Sequence, residues 1–283
     1  MTHRSRPPRP EPTPFHRGGD GEPMVLLHGF TATWSTWKPI LPALEAHHDV
    51  FAPSLVGHHG GERVAPGTSV TDALYVDAVE RQLDRIGVER AHLVGNSLGG
   101  WLSLVLAARG RALSVVAVCP AGGWYPGSRQ DRRILGYFRR NAIAMRTGDW
   151  WIDPLAARPG LRRLVLRDVV ARPERLTASD ARTVFAGAAG CELLHETLAH
   201  ARRESIFGEL GPIDAPVRIL YGTRDRLTRW PSCYERMREL LPDAEYLPLE
   251  GLGHVPMWDD PEMVANRILE ITAPARAATA AQA

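Results

Sequence analysis

From about residue 20 the chain alternates two hydrophobic rhythms. Short, mostly apolar runs are followed by longer stretches in which apolar positions return every three or four residues. The runs Met24–Leu27, Asp49–Phe51, Ala91–Val94, Leu113–Val118, Val217–Tyr221 and Ala244–Leu247 read as strands, because a strand buried on both faces needs no polar alternation. Between them, Trp37–Ala46 reads as a helix with Ser35 as its N-cap. Residues 70–86 carry Leu74, Val76, Val79, Leu83 and Ile86 at helical spacing and stop at Gly87. Leu98–Arg109, Pro231–Leu241 and Pro261–Ile271 complete the helices of this part. Strands and helices in such alternation predict an α/β architecture, a mostly parallel sheet with helices on both faces.

The rhythm fails between residues 122 and 211. Gly127–Arg146, Leu161–Val170, Ala178–Ala189 and Glu192–Phe207 all read as helices, with no convincing strand among them. So long an insertion between two strands of one sheet is expected to form a helical cap. The core is then 18–121 together with 212–272. Residues 1–17, which include Arg6-Pro7-Pro8-Arg9-Pro10, and the Ala-rich 273–283 are expected to lack fixed structure.

Composition narrows the class of partner. The content of 44% hydrophobic and 23% charged residues is that of an ordinary globular protein, and a formal net charge of +2 gives no electrostatic reason to expect nucleic acid or an anionic membrane. No uninterrupted apolar stretch is long enough to span a bilayer, and the first residues hold no apolar signal core. Cys119, Cys191 and Cys233 are odd in number and lack metal-type spacing, which fits a reducing compartment. A cytoplasmic protein acting on a small molecule is expected.

The chemistry concentrates at Gly95-Asn96-Ser97-Leu98-Gly99, between the apolar run 91–94 and a helical stretch. A strand that turns at once into a helix at Gly-x-Ser-x-Gly forces the serine into a strained bend and lifts its hydroxyl clear of the sheet. Flanking glycines are needed because a Cβ there would strike the neighbouring strand or helix. A serine hydroxyl is a poor nucleophile until a base takes its proton, and that base needs an orienting carboxylate. Val217–Tyr221 runs into Gly222-Thr223-Arg224-Asp225, which puts an acid at the C-terminal edge of the sheet. Glu250-Gly251-Leu252-Gly253-His254 puts a histidine on the loop after the last strand. The order Ser97, Asp225, His254 is that of the nucleophile elbow's triad; Asp214 and Asp259 are the alternatives for the acid.

Met24–Leu27 runs into His28-Gly29-Phe30, so the N–H groups of Phe30 and Leu98 are candidates for an oxyanion hole, with His28 positioning the loop. Trp124, at the start of the cap, and Leu227 and Val255, beside the acid and the base, are candidate walls of a substrate pocket. Trp150 and Trp151 are further aromatic candidates, and for each of the three tryptophans, Trp124 included, simple packing is the alternative. His58-His59 lie adjacent, point different ways and have no third ligand, so no metal is expected.

On these motifs the chain resembles the α/β-hydrolase superfamily, in its cap-bearing branch of esterases, C–C bond hydrolases and perhydrolase-like enzymes. The resemblance covers about residues 20–121 and 212–272. It implies a Ser-Asp-His triad, a two-amide oxyanion hole and no cofactor. The loop Phe30-Thr31-Ala32-Thr33-Trp34-Ser35-Thr36-Trp37 is more apolar than that of the family's C–C hydrolases, and Ser97 stands where its epoxide hydrolases and haloalkane dehalogenases carry an aspartate. The expectation is therefore hydrolysis of a carboxylic ester, or a thioester, of a fairly hydrophobic substrate. C–C hydrolysis, lactonase or lyase/cyclase chemistry on the same triad is the alternative, and a non-catalytic ligand receptor is a third.

Overall fold

The computed structural model describes residues 12–65, 67–145, 150–201 and 207–272. Seven strands form one sheet: β1 (Phe15–Gly18), β2 (Glu22–Leu27), β3 (His48–Pro53), β4 (Ala91–Asn96), β5 (Ala112–Val118), β6 (Val217–Gly222) and β7 (Glu245–Leu249). Their spatial order is β1-β3-β2-β4-β5-β6-β7, with β1 antiparallel to β3 and every other pairing parallel. Parallel strands need helical crossovers, and the expected helices supply them. α1 (Leu41–Glu45), α2 (Asp72–Arg85), α3 (Leu98–Ala108), α9 (Ser232–Leu240) and α10 (Pro261–Thr272) belong to the sheet layer. The central strands bury both faces; β4 is buried at every position.

The insertion is helical as expected: α4 (Arg129–Met145), α5 (Ile152–Ala157), α6 (Pro159–Leu166), α7 (Ala178–Ala189) and α8 (Leu194–His200) lie between β5 and β6. α7 has the expected bounds, set by a capping box in which Thr177 and Asp180 satisfy each other's backbone N–H. The cap has its own core around Ile152, Leu166, Val170 and Phe185. A second cluster, with Leu194 and Leu198, packs against Phe30 and Phe138.

Three expectations are corrected. β1, Phe15–Gly18, is an edge strand whose first three residues fall in the segment 1–17 expected to be unstructured. It escapes a hydrophobic search because an edge strand with alternately exposed residues needs little apolar character. Trp37–Ala46 is not one helix: a 3₁₀ turn over Trp34–Trp37, capped by Thr33 rather than Ser35, precedes the short α1. Pro39 and Pro42, lacking N–H groups, stop a continuous ladder there. The last cap helix ends at His200, short of Phe207, and part of its expected span, 202–206, lies outside the described residues. The expected tail 273–283 also lies outside them, as does most of 1–17.

Candidate active site

β4 ends at Asn96 and α3 begins at Leu98, leaving Ser97 alone at the bend with φ 55° and ψ −115°. A left-handed φ on a non-glycine residue costs about 1–3 kcal/mol and persists only where its surroundings hold it. Here they do. The Ser97 N–H donates to Val118 O at 3.0 Å, and its carbonyl accepts from Ala121 N at 2.9 Å and Trp101 N at 3.1 Å. The flanking glycines are obligatory: a Cβ on Gly95 would lie 2.0 Å from Gly99 O, and one on Gly99 would lie 2.0 Å from Leu27 O.

Asp225 and His254, far apart in sequence, meet on the loops after β6 and β7. His254 Nδ1 and Asp225 Oδ2 are 2.7 Å apart, with both side chains almost wholly buried. Asp225 Oδ1 accepts from Leu227 N at 2.8 Å and Thr228 N at 2.9 Å, and its Oδ2 also accepts from the Thr228 hydroxyl at 2.6 Å. Four hydrogen bonds therefore fix the carboxylate and leave His254 Nδ1 facing an acceptor. Asn96 Nδ2 donates to the His254 carbonyl at 2.9 Å and so ties the histidine loop to the residue beside Ser97. The sequence reading missed Thr228 and Asn96. Thr228 had a signal, since a hydroxyl residue three positions after an aspartate is a frequent turn-closing pair.

The loop after β2 packs against the elbow closely enough that a Cβ on Gly29 would lie 3.2 Å from Ser97 Cβ. His28 is fully buried and positions this loop, as expected. Its Nε2 accepts from Leu55 N at 2.9 Å, so its Nδ1 carries the proton and donates to Gly29 O at 2.8 Å. Burial, reinforced by neighbouring His58, holds the His28 pKa well below the ordinary histidine value. Leu98 opens α3, so its N–H has no helical carbonyl to reach.

A cavity of about 570 Å³ opens over Ser97, lined mainly by apolar side chains such as Phe30, Trp101, Trp124, Phe138, Leu198 and Leu227. Of the expected walls, Trp124 and Leu227 are there, Trp124 in edge contact with Phe207 at 5.5 Å between ring centroids. Val255 is not among the lining residues; its N–H donates instead to Val169 O of the cap at 2.8 Å. Trp151 packs against Phe185 in the cap core, and Trp150 is 64% exposed on the surface. Asp214 is exposed before β6. Asp259 is fully buried, and its carboxylate binds backbone N–H groups.

A serine, a histidine and a carboxylate also line up elsewhere in the molecule. Ser114 Oγ lies 2.8 Å from His92 Nδ1, and His92 Nε2 lies 3.5 Å from Glu22 Oε2. These residues sit near the starts of β5, β4 and β2, at the end of the sheet opposite the elbow. Ser114 lies within a strand and does not line the cavity. One metal-type group is present among the described residues, with ligand atoms of Cys119, Asp225 and His254 within 4.8 Å of one another. Both oxygens of Asp225 are already engaged. Burial raises the Cys119 pKa well above the ordinary value, which keeps the thiol protonated, whereas metals bind the thiolate.

A parallel sheet with its chemistry on the loops at its C-terminal edge, roofed by helices over an apolar cavity, is the build of an enzyme acting on a small molecule. The chain belongs to the alpha/beta hydrolase family, whose model matches residues 24–267. It is 32% identical over 201 residues to the epoxide hydrolase EphH of Mycobacterium tuberculosis (strain ATCC 25618 / H37Rv), covering 70% of this chain and 94% of that protein. It is 28% identical over 251 residues to the putative carbamate hydrolase RutD of Pantoea ananatis (strain LMG 20103), covering 87% of this chain and 86% of the relative. The meta-cleavage product hydrolase CumD of Pseudomonas fluorescens IP01 has the same fold, with a TM-score of 0.70 at 20% identity over 91% of this chain and 92% of that one. Among the described residues no helix is long and apolar enough to cross a membrane.

Proposed function

We propose that the protein is a serine hydrolase cleaving the carboxylic ester, or thioester, of a small and fairly hydrophobic substrate. The observation that carries this reading is the 2.7 Å contact between His254 Nδ1 and Asp225 Oδ2, on a loop tied through Asn96 to the strained serine that lines an apolar cavity. Ser97 Oγ attacks the carbonyl carbon while His254 Nε2 takes its proton. Asp225 keeps the histidine proton on Nδ1 and stabilises the imidazolium. The N–H groups of Phe30 and Leu98 receive the developing oxyanion, each such donor contributing about 3 kcal/mol to the transition state. His254 then protonates the departing alcohol or thiol. A water deprotonated by the same base hydrolyses the acyl-enzyme to the acid.

Two physical arguments favour this assignment over its rivals. Ser114 of the Ser114–His92–Glu22 line lies within β5 rather than at an elbow or a helix N-terminus, is only 3% exposed and does not line the cavity over Ser97, which disfavours it as the nucleophile. Epoxide opening by a serine would leave an ether, which has no carbonyl for water to attack, so turnover on an epoxide calls for a carboxylate nucleophile. The cavity's apolar lining and its size, about 570 Å³, support a substrate of modest size. Three buried, unpaired cysteines support a cytoplasmic setting. The modest net charge gives no support to a nucleic-acid or membrane partner.

The test is labelling with a fluorophosphonate, followed by peptide mapping and a panel of p-nitrophenyl esters of increasing chain length. An adduct on Ser97, turnover of the panel, and loss of at least about 1,000-fold in kcat in Ser97→Ala are expected. An adduct on Ser114, or products that show C–C fission without ester turnover, would overturn the reading.

A further inference from the structure

The loop carrying His254 is clasped to the cap at two points, one through the Asp259 carboxylate and one from backbone to backbone. Asp259, in the turn after His254, is 0% exposed. Its Oδ2 accepts the Gly253 N–H at 2.7 Å and the Ala171 N–H at 3.1 Å, while its Oδ1 accepts the Arg172 N–H at 2.7 Å. One carboxylate thus joins the residue before His254 to two successive residues of the cap segment between α6 and α7. The second point does not involve Asp259: the Val255 N–H donates to Val169 O at 2.8 Å. The approach leaves no slack, since a Cβ on Gly253 would lie 2.7 Å from Ala171 N. From the same segment, the guanidinium groups of Arg172 and Arg175 donate to the Asp259 carbonyl.

We infer that Asp259 is a positioning residue that makes seating of the cap a condition for aligning His254. This rests on His254 being the base. His254 is held by its ring on Asp225 and by its carbonyl on Asn96. On its N-terminal side the Arg224 N–H on Leu252 O and the Cys119 thiol on Gly253 O tie the loop to the sheet, and the Gly253 N–H is the restraint that runs through Asp259 into the cap. A buried carboxylate that loses the Ala171 and Arg172 N–H groups is left under-satisfied and cannot stay where it is at low cost. Lifting the cap segment therefore releases Gly253 as well. The base is aligned when the cavity is closed and slack when water can enter, which couples proton transfer to exclusion of solvent.

Asp259→Asn tests this at constant size. Both carboxylate oxygens accept N–H groups, so the new NH₂ must face a donor whichever way the amide turns, and one limb of the clasp breaks. Since a misplacement near 1 Å costs on the order of 100-fold, labelling of Ser97 by a fluorophosphonate should slow by at least about 10-fold, with KM for a p-nitrophenyl ester within about threefold of wild type. Amide exchange at Val255, which is not bonded to Asp259, should accelerate by about 10-fold or more, because the two limbs yield together. Labelling at the wild-type rate would overturn the inference. So would faster exchange at Gly253 with Val255 unchanged, which would make Asp259 a local brace. If Asp259→Asn does not fold, the double variant Arg172→Ala/Arg175→Ala is expected to give the same acceleration at Val255, and an unchanged Val255 there overturns the inference. A wild-type protein that takes no label at Ser97 defeats the triad reading, while Val255 exchange continues to decide the clasp on its own.

Discussion

Replacing Asp225 by asparagine gives a sharp test of the triad, because its hydrogen bonds dictate how the new amide must sit. Oδ1 receives two backbone N–H groups, from Leu227 and Thr228, and neither can turn away. The asparagine carbonyl oxygen must therefore occupy that position, which sets the NH₂ where Oδ2 was, facing His254 Nδ1 and the Thr228 hydroxyl. Nδ1 must now accept, so the ring proton moves to Nε2 and the base can no longer take a proton from Ser97. Thr228 reinforces the error. Its oxygen lies 3.2 Å from His254 Nδ1, and once it accepts from the new NH₂ its own hydrogen is free to point at that nitrogen. A wrong tautomer in an otherwise intact triad lowers kcat by about 10,000-fold, or about 5 kcal/mol of transition-state stabilisation. Folding should be nearly unaffected, since both backbone N–H groups keep an acceptor. The assay is kcat on a p-nitrophenyl ester, with the urea midpoint measured in parallel. A kcat within about tenfold of wild type would refute the assignment of Asp225 as the orienting acid.

Further outcomes follow from particular contacts. Trp124→Ala should shift the ester chain-length optimum toward longer acyl groups, because it opens the cavity wall beside Phe207; an unchanged profile would remove Trp124 from the pocket. Gly99→Ala places a Cβ about 2.0 Å from Leu27 O, so denaturant stability should fall by about 3 kcal/mol or more, and Ser97 should lose its label. An unchanged midpoint would show that the elbow relaxes freely. Burial lowers the His58 pKa from 6.5 to about 4. Between those pH values the unfolded chain takes up a proton that the folded chain refuses, so stability falls as pH drops through that window, by about 3 kcal/mol from this group. Urea titrations at pH 7 and pH 4 should show the wild type losing more stability than His58→Gln by that amount, and equal losses would contradict it.

The elbow and the glycines around it were legible in the sequence because their requirements are local. A strand-to-helix bend at Ser97 leaves room only for glycine at positions 95 and 99, and both clashes are with neighbours a few residues away or on the adjoining strand. Asp225 and His254 were legible because each closes a strand whose apolar run announces it, and parallel strands deliver their following loops to one edge. β1 was not, since an edge strand with one paired side and alternate exposure needs no hydrophobic signature. The walls of the cavity were only half legible. Val255 stands one residue from His254 and Leu227 two from Asp225, yet Leu227 lines the cavity and Val255 donates its N–H to the cap, a difference set by how the cap docks. Asp259 was visible only as a spare acid near His254; its use as a clasp depends on residues 171 and 172 arriving from another layer. A second serine, Ser114, also stands against a histidine in this fold. The parallel run of the strands and the docking of the cap place Ser97, after the end of β4, at the loop-bearing edge and Ser114, near the start of β5, at the opposite end, because hydrogen-bonding chemistry is a property of residue types while access to substrate is a property of where the packed layers leave space.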